Sequence, residues 1–331
     1  MYLTQIEKLK SILRAFGCVV ALLLTTATRA QDLAATRTPS ADRSECLKRF
    51  VRECVLIEPG AGSFPGDFIF GASQAERDSL SGQLPLLPSR KRQLMHPFRV
   101  CRYETTQELY EAVMGTNPSR WKGPRNSAEM MSFTEANQFC LKLTALLRLD
   151  GLIAANEVVR LPTELEWEYC CRAGTDTAYS FGNSATSEGD SGNSATRLDA
   201  YAWHTGNAAG NDPAVGVLKP NSWGLCDVHG YLWEFVADNE ETLVRGDVAE
   251  KSSSTNGVPR SQTADPKDAA DPNASDQAQR ETSEKARVVI RGGSWKDPFR
   301  HLTSASRLTV SPQLRNDAVG FRCVIAEKPV P

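Results

Sequence analysis

The chain has 331 residues, of which 40% are hydrophobic, and its 38 Lys and Arg against 40 Asp and Glu give a formal charge of −2. That is ordinary globular composition with enough apolar residues for a sizeable core. Apart from SRKR (Ser89 to Arg92) there is no basic run, so nucleic acid is excluded as an expected partner.

At the N-terminus, Lys8, Lys10 and Arg14 precede the apolar run AFGCVVALLL, and TTATRA leads to Gln31. Charged, apolar and small-residue segments in that order are a secretory signal over residues 1–30, with cleavage after Ala30. The run is short for a membrane span, though an uncleaved anchor helix is the alternative. Export to the periplasm or the cell exterior follows, with no membrane span after cleavage. Loss of Cys18 would leave an even set: Cys46, Cys54, Cys101, Cys140, Cys170, Cys171, Cys226 and Cys323. An even number in an exported chain is compatible with disulfides. No CxxC spacing occurs and the histidines are scattered, which argues against zinc. Cys170 and Cys171 are adjacent and would bridge each other only under severe strain.

Residues 31–49 are small and polar and read as a linker, followed by a single domain over residues 50–327. To about Met95 the chain is broken by Gly and Pro, with DFIFGAS suggesting a strand and turn. Three capping boxes then predict helices: Thr105 with Glu108 before QELYEAVM, Ser132 with Glu135 opening FTEANQFCLKLTALL, and Thr163 with Glu166 opening ELEWEYCCRAG. In the second, Phe133, Ala136, Phe139, Cys140, Leu143 and Leu147 keep helical spacing. Residues 245–285 hold almost no large apolar side chain and read as a disordered insertion within the domain. Few segments alternate regularly, so the pattern predicts an irregular, loop-rich α+β fold.

In order along the chain stand RYETTQELYEAVMGTNPSRWKG, SFTEANQFC, RLPTELEWEY, PNSWGLCDVHGYLWEF, RGGSW and GFR. Together they resemble the formylglycine-generating enzyme (sulfatase-modifying factor) family over roughly Phe50 to Glu327. The resemblance implies a loop-rich α+β single domain of the C-type-lectin-like kind, with short helices and a small mixed sheet. Catalytic members of that family oxidise a cysteine of sulfatases to formylglycine with copper, held by two cysteines in the loop after the Gly-Gly-Ser corner. Two thiolates suit Cu(I); carboxylate, hydroxyl and imidazole do not replace them. Here that loop reads WKDPFRHLTSASR, with Asp297 where the first cysteine would stand. Copper is therefore not expected.

The reading that follows is a non-catalytic binding module for a protein, peptide or carbohydrate. The alternative is a divergent oxidase or a maturation factor acting on sulfatase-like partners. Ser294, Trp295, Asp297, His301 and Arg307 are the cleft-lining candidates. The resemblance further implies calcium held by the carbonyls of Gly230 and Leu232 and by Glu234, although Tyr231 replaces the family's asparagine; the other reading pairs Glu234 with an arginine. It also implies a disulfide between Cys140 and Cys323, whereas the family's second bridge, from Cys171, would need a cysteine near Ser304. Trp167, Trp223, Trp233 and Trp295 are either core residues or cleft walls. Glu164, Glu166 and Glu168, two residues apart, are not expected to converge on one point.

Overall fold

The first helix begins where a linker was expected. The computed structural model describes residues 39–209, 212–239 and 287–328, and in it Pro39–Arg52 forms helix α1. Leu47 and Phe50 are buried, and these two apolar anchors are why the end of the polar segment is ordered. The signal segment of residues 1–30, and the insertion of residues 245–285, lie outside the described residues. No described helix is long and apolar enough to cross a membrane.

Capping chemistry places most of the remaining helices. Ser132 and Thr163 form complete capping boxes with Glu135 and Glu166, opening α4 (Phe133–Leu149) and α5 (Glu164–Arg172). A further box, Ser73 with Glu76, opens the short α2 (Gln74–Ser79) beyond the expected strand and turn. The box expected at Thr105 does not form. Thr105 donates its amide to Phe321 and accepts from the Ala128 amide, so its backbone is committed to neighbouring chain. Helix α3 (Gln107–Met114) therefore starts after Thr106, and Glu108 pairs with Arg49 and Arg125.

Among the described residues the strands make two four-stranded sheets and a small ribbon. In the first sheet β1 (Cys54–Ile57), β4 (Phe98–Cys101), β10 (Val324–Glu327) and β5 (Glu157–Arg160) lie in that order, all antiparallel. The ribbon pairs β2 (Asp67–Phe70) with β3 (Arg90–Gln93). In the second sheet β8 (Arg307–Val310), β7 (Val288–Arg291) and β6 (Trp233–Asn239) are antiparallel, and β6 also pairs in parallel with β9 (Val319–Gly320). The strands are too short for alternation to show in the sequence.

Ile57, Phe98, Val100 and Val324 from the first sheet share one core with Val236 and Val289 from the second, with Trp167, Tyr169 and Trp223 between them. Phe139 of α4 stacks on Tyr110 at 5.4 Å and meets the edge of Phe321 at 5.3 Å. Burial of a ring such as Phe139 is worth about 1.5–3 kcal/mol. A second, smaller cluster contains Ala178, Tyr179, Leu198, Ala202 and Leu302.

His229 lies against that second cluster, edge-on to Tyr179 and Phe181. Its Nδ1 sits 3.1 Å from the Leu302 carbonyl, which can only accept, so Nδ1 carries the proton and Nε2 accepts from the Ser180 amide at 3.0 Å. Burial holds the imidazole neutral and lowers its pKa to about 4; the Leu302 bond opposes the shift and Arg172 adds to it.

Two predictions follow from this architecture. Asn239 and Val288 are directly paired across β6 and β7, so the ends that flank residues 245–285 already stand side by side. Replacing residues 245–285 by a short Gly/Ser linker should leave the melting temperature within about 3 °C, since that stretch holds almost no large apolar side chain; loss of soluble protein would show a folded element there. The second concerns pH. Between pH 6.5 and about 4 the unfolded chain protonates His229 and the folded chain does not, so stability falls as pH is lowered through this window. Urea titrations should show a loss of roughly 3 kcal/mol from this residue. Asp227, with its pKa raised to about 6 by burial, acts in the opposite sense over part of the range. The comparison is therefore with His229→Gln, whose profile should be flatter on the acid side.

Candidate functional site

Strand β7 ends in a corner that only glycine can make. Gly292 and Gly293 have φ of 102° and 84°, and a Cβ on them would meet the Trp167 ring at 3.0 Å and Leu302 at 2.9 Å. The loop beyond is tied down by Asp297. One oxygen of that carboxylate accepts from the Ser294 amide at 3.0 Å, from the Ser294 hydroxyl, and from Trp233 Nε1 at 2.8 Å. Burial pushes the Asp297 carboxyl up, but the bonds from His301, Ser294 and Trp233 outweigh it and hold it below the usual range. At the position of the expected first cysteine, then, stands an anion that locks the loop to β6.

Beneath the corner is a buried ion-pair network. Arg291 reaches Glu168 through Nη2 and Glu164 through Nη1 at 3.4 Å. Glu168 also holds Arg172 at 2.7 Å and accepts from the Gly71 amide at 2.7 Å, while Glu164 holds Arg307 at 2.9 Å. The sequence-based expectation that these carboxylates do not converge is corrected here. Glu164 and Glu168 are one turn apart on α5 and close on the same guanidinium. Glu166 points elsewhere, capping Thr163 and pairing with Arg160 at 2.6 Å. The convergence is structural, because every one of these carboxylates is neutralised.

One open space borders the loop at Trp295. A cavity of about 310 Å³ is walled by Trp121, Trp295, Tyr231 and Leu232, with Glu129, Asp212 and Asp317 supplying carboxylates. Trp121 is 48% exposed at its mouth. Lys296 and Arg120 pair with Asp317 and lie over the rings of Trp295 and Trp121. Burial works to raise Asp317, yet these two cations hold it low. Asp212 accepts from the Tyr231 hydroxyl at 2.6 Å. Glu129 is 4% exposed; one oxygen accepts from the Arg120 and Trp121 amides, and its Oε2 has no hydrogen-bond partner among the described residues. Burial, with Asp317 and Asp212 nearby, raises the Glu129 carboxyl.

Of the five cleft candidates, only Trp295 lines this cavity. Ser294 and Asp297 are consumed by the corner. Arg307 is buried on Glu164, and His301 bonds Gln83 at 2.9 Å on the far side. Trp167, Trp223 and Trp233 are buried. Trp121, Glu129, Asp212 and Asp317 are loop residues with no periodic signature; Trp121 lay within the quoted RWKG but carried no sign of its direction.

The calcium ligand set does not fit. Glu234 is fully buried, and Arg322 reaches both its oxygens at 2.7 Å while Trp167 Nε1 donates to one of them at 2.9 Å. The Gly230 carbonyl accepts from the Trp203 amide at 2.9 Å, and the Leu232 amide donates to Glu104. A divalent ion on Gly230, Leu232 and Glu234 would have to displace a guanidinium already in place. Cys140 and Cys323 do meet, as free thiols with sulfurs 3.8 Å apart. Cys171 donates to the Val228 carbonyl at 3.4 Å and has the Ser304 hydroxyl beside it.

The chain is 36% identical over 84 residues to the formylglycine-generating enzyme of Mycobacterium tuberculosis, a match that spans 23% of this chain and 26% of the enzyme. It is 26% identical over 196 residues to the chaperone protein LppX of Paenibacillus barcinonensis, covering 44% of this chain and 65% of that protein. Among solved structures, PvdO from Pseudomonas aeruginosa superposes with a TM-score of 0.55 at 22% identity, covering 82% of this chain and 98% of PvdO. Treponema denticola variable protein 1 does so at 0.54 and 22%, covering 83% and 95%. These structural likenesses show a shared fold, the C-type-lectin-like α+β arrangement. The family model for the sulfatase-modifying factor enzyme 1-like domain matches residues 46–327, and on that match the chain belongs to this family.

Proposed function

We propose that the chain is a non-catalytic binding module whose ligand occupies the cavity beside Trp295. The observation that carries the reading is the division of labour around the corner. The loop from Trp295 to Arg307 contains no thiol and spends its carboxylate, Asp297, on holding itself in place. The adjoining cavity, by contrast, presents aromatic faces and a buried carboxylate oxygen to which nothing among the described residues donates. Such a mixture suits a sugar or a peptide side chain that offers an apolar face to Trp295 and hydrogen-bond donors to Glu129 and Asp212. The absence of the thiol pair also removes the means of binding Cu(I) in the family's manner. Residues 1–30 support export of the mature chain, and there the facing thiols of Cys140 and Cys323 would close into a bridge.

A second reading, a maturation factor for a sulfatase-like partner, draws on the resemblance to formylglycine-generating enzymes and on the relative named as a chaperone. It differs in requiring a protein partner.

Two experiments decide. Incubated with Cu(I), oxygen and a sulfatase-type cysteine peptide, the protein should give no formylglycine above the enzyme-free control by mass spectrometry; turnover would overturn the non-catalytic reading. Screened on glycan and peptide arrays, the wild type should retain a ligand that Trp295→Ala and Glu129→Gln each bind about tenfold less tightly, or roughly 1.4 kcal/mol. Equal binding by both variants would place the ligand elsewhere, and retention of folded proteins alone would favour the maturation reading.

A further inference from the structure

Strand β1 begins with a cysteine that faces another across the sheet. Cys54 is directly opposite Cys101 in the antiparallel pair of β1 and β4. The Arg102 amide donates to the Glu53 carbonyl at 3.0 Å, one residue outside this pair. That bond makes 53 and 102 the hydrogen-bonded couple, so 54 and 101 are a non-hydrogen-bonded couple, the closer of the two kinds, with Cα atoms ordinarily about 4.5 Å apart. Disulfides need Cα atoms about 4.4–6.8 Å apart, so the backbone already meets the demand. The side chains agree: the two sulfurs stand 3.2 Å apart, and the Cys54 thiol also reaches the Phe50 carbonyl at 3.2 Å.

The two thiols differ in access. Cys101, the last residue of β4, is 6% exposed, and its amide donates to the Cys323 carbonyl of the neighbouring chain segment. Cys54, the first residue of β1, is half-buried and is the one a reagent can reach. Burial, then the neighbouring Cys54, raises the Cys101 thiol well above its ordinary value. Cys140 and Cys323 form the other facing pair, so the core holds two separate couples rather than one shared set.

We infer that Cys54 and Cys101 are a disulfide-forming pair that staples the strand following α1 to β4 when the chain meets an oxidising disulfide. The Cys54 thiolate attacks one sulfur of a small-molecule or protein disulfide and expels the other as a thiolate. Cys101, giving up its proton, then attacks the Cys54 sulfur of the mixed disulfide and releases the second half as a thiol. The pair loses two electrons and two protons, and the incoming disulfide becomes two thiols. Because the link closes the long loop from β1 through the β2–β3 ribbon to β4, it restricts the unfolded chain and raises stability.

The test uses the full chain, equilibrated in oxidised and reduced glutathione and mapped by non-reducing peptide mass spectrometry. A cross-linked peptide joining Cys54 to Cys101 is expected, absent from Cys54→Ala and from Cys101→Ala. In Cys54→Ala, oxidation should raise the melting temperature by roughly 5–10 °C less than in the wild type. Mapping of the wild type does not depend on either variant folding. Alkylation of both residues without prior reduction after oxidation, or a link from Cys101 to Cys323, would overturn the inference.

Discussion

Arg291 and the two α5 carboxylates that hold it are the constraint on which the site depends. A guanidinium with 1% exposure is stable only if its charge is met locally, and Glu164 and Glu168 meet it from successive turns of one helix. Glu168 then extends the network to Arg172 and to the Gly71 amide, which brings the end of the β2 ribbon against the same helix. Glu164 extends it to Arg307, the residue at which the chain re-enters β8. Both ends of the loop after Gly-Gly-Ser are thus fixed to α5 through buried charge. Loss of one partner from such a network leaves an unpaired ion in the core, a cost of about 3–5 kcal/mol.

This arrangement explains how the corner is held although the loop that follows it contains no thiol. The scaffold of the loop is set by Arg291, Arg307 and the two left-handed glycines, none of which takes part in redox chemistry. The interior of the loop is free to change. Here Asp297 ties the loop down by accepting three hydrogen bonds. The other expected bridge shows the same substitution, with Ser304 beside Cys171 where a second thiol would stand. A fold keeps its framework while the site grafted on it turns over.

Legibility followed physical locality. The capping boxes at Ser132 and Thr163 were readable because a cap is settled by residues three apart. The box at Thr105 failed because Phe321 and Ala128, far along the chain, claimed its backbone. The helix that begins at Pro39 was not legible within residues 31–49, because the buried Leu47 is outweighed by its polar neighbours in any composition-based view. Among the tryptophans, hydrophobicity alone could not say that Trp295 would border a cavity while Trp167 sank into the core to donate to Glu234.

The sequence by itself determined the family and its order of motifs, the α+β class, and the loop that lacks both thiols, since each of these is a matter of which residues stand next to which. Only the tertiary structure decided the pairings. Glu234 met Arg322, Glu164 and Glu168 met one arginine, and Cys54 met Cys101 across a sheet. The physical reason is that these contacts join segments separated by long irregular loops, where no period of 2 or 3.6 fixes the direction of a side chain. Their partners are chosen by the need to neutralise buried charge and to fill space, and those demands exist only once the chain is folded.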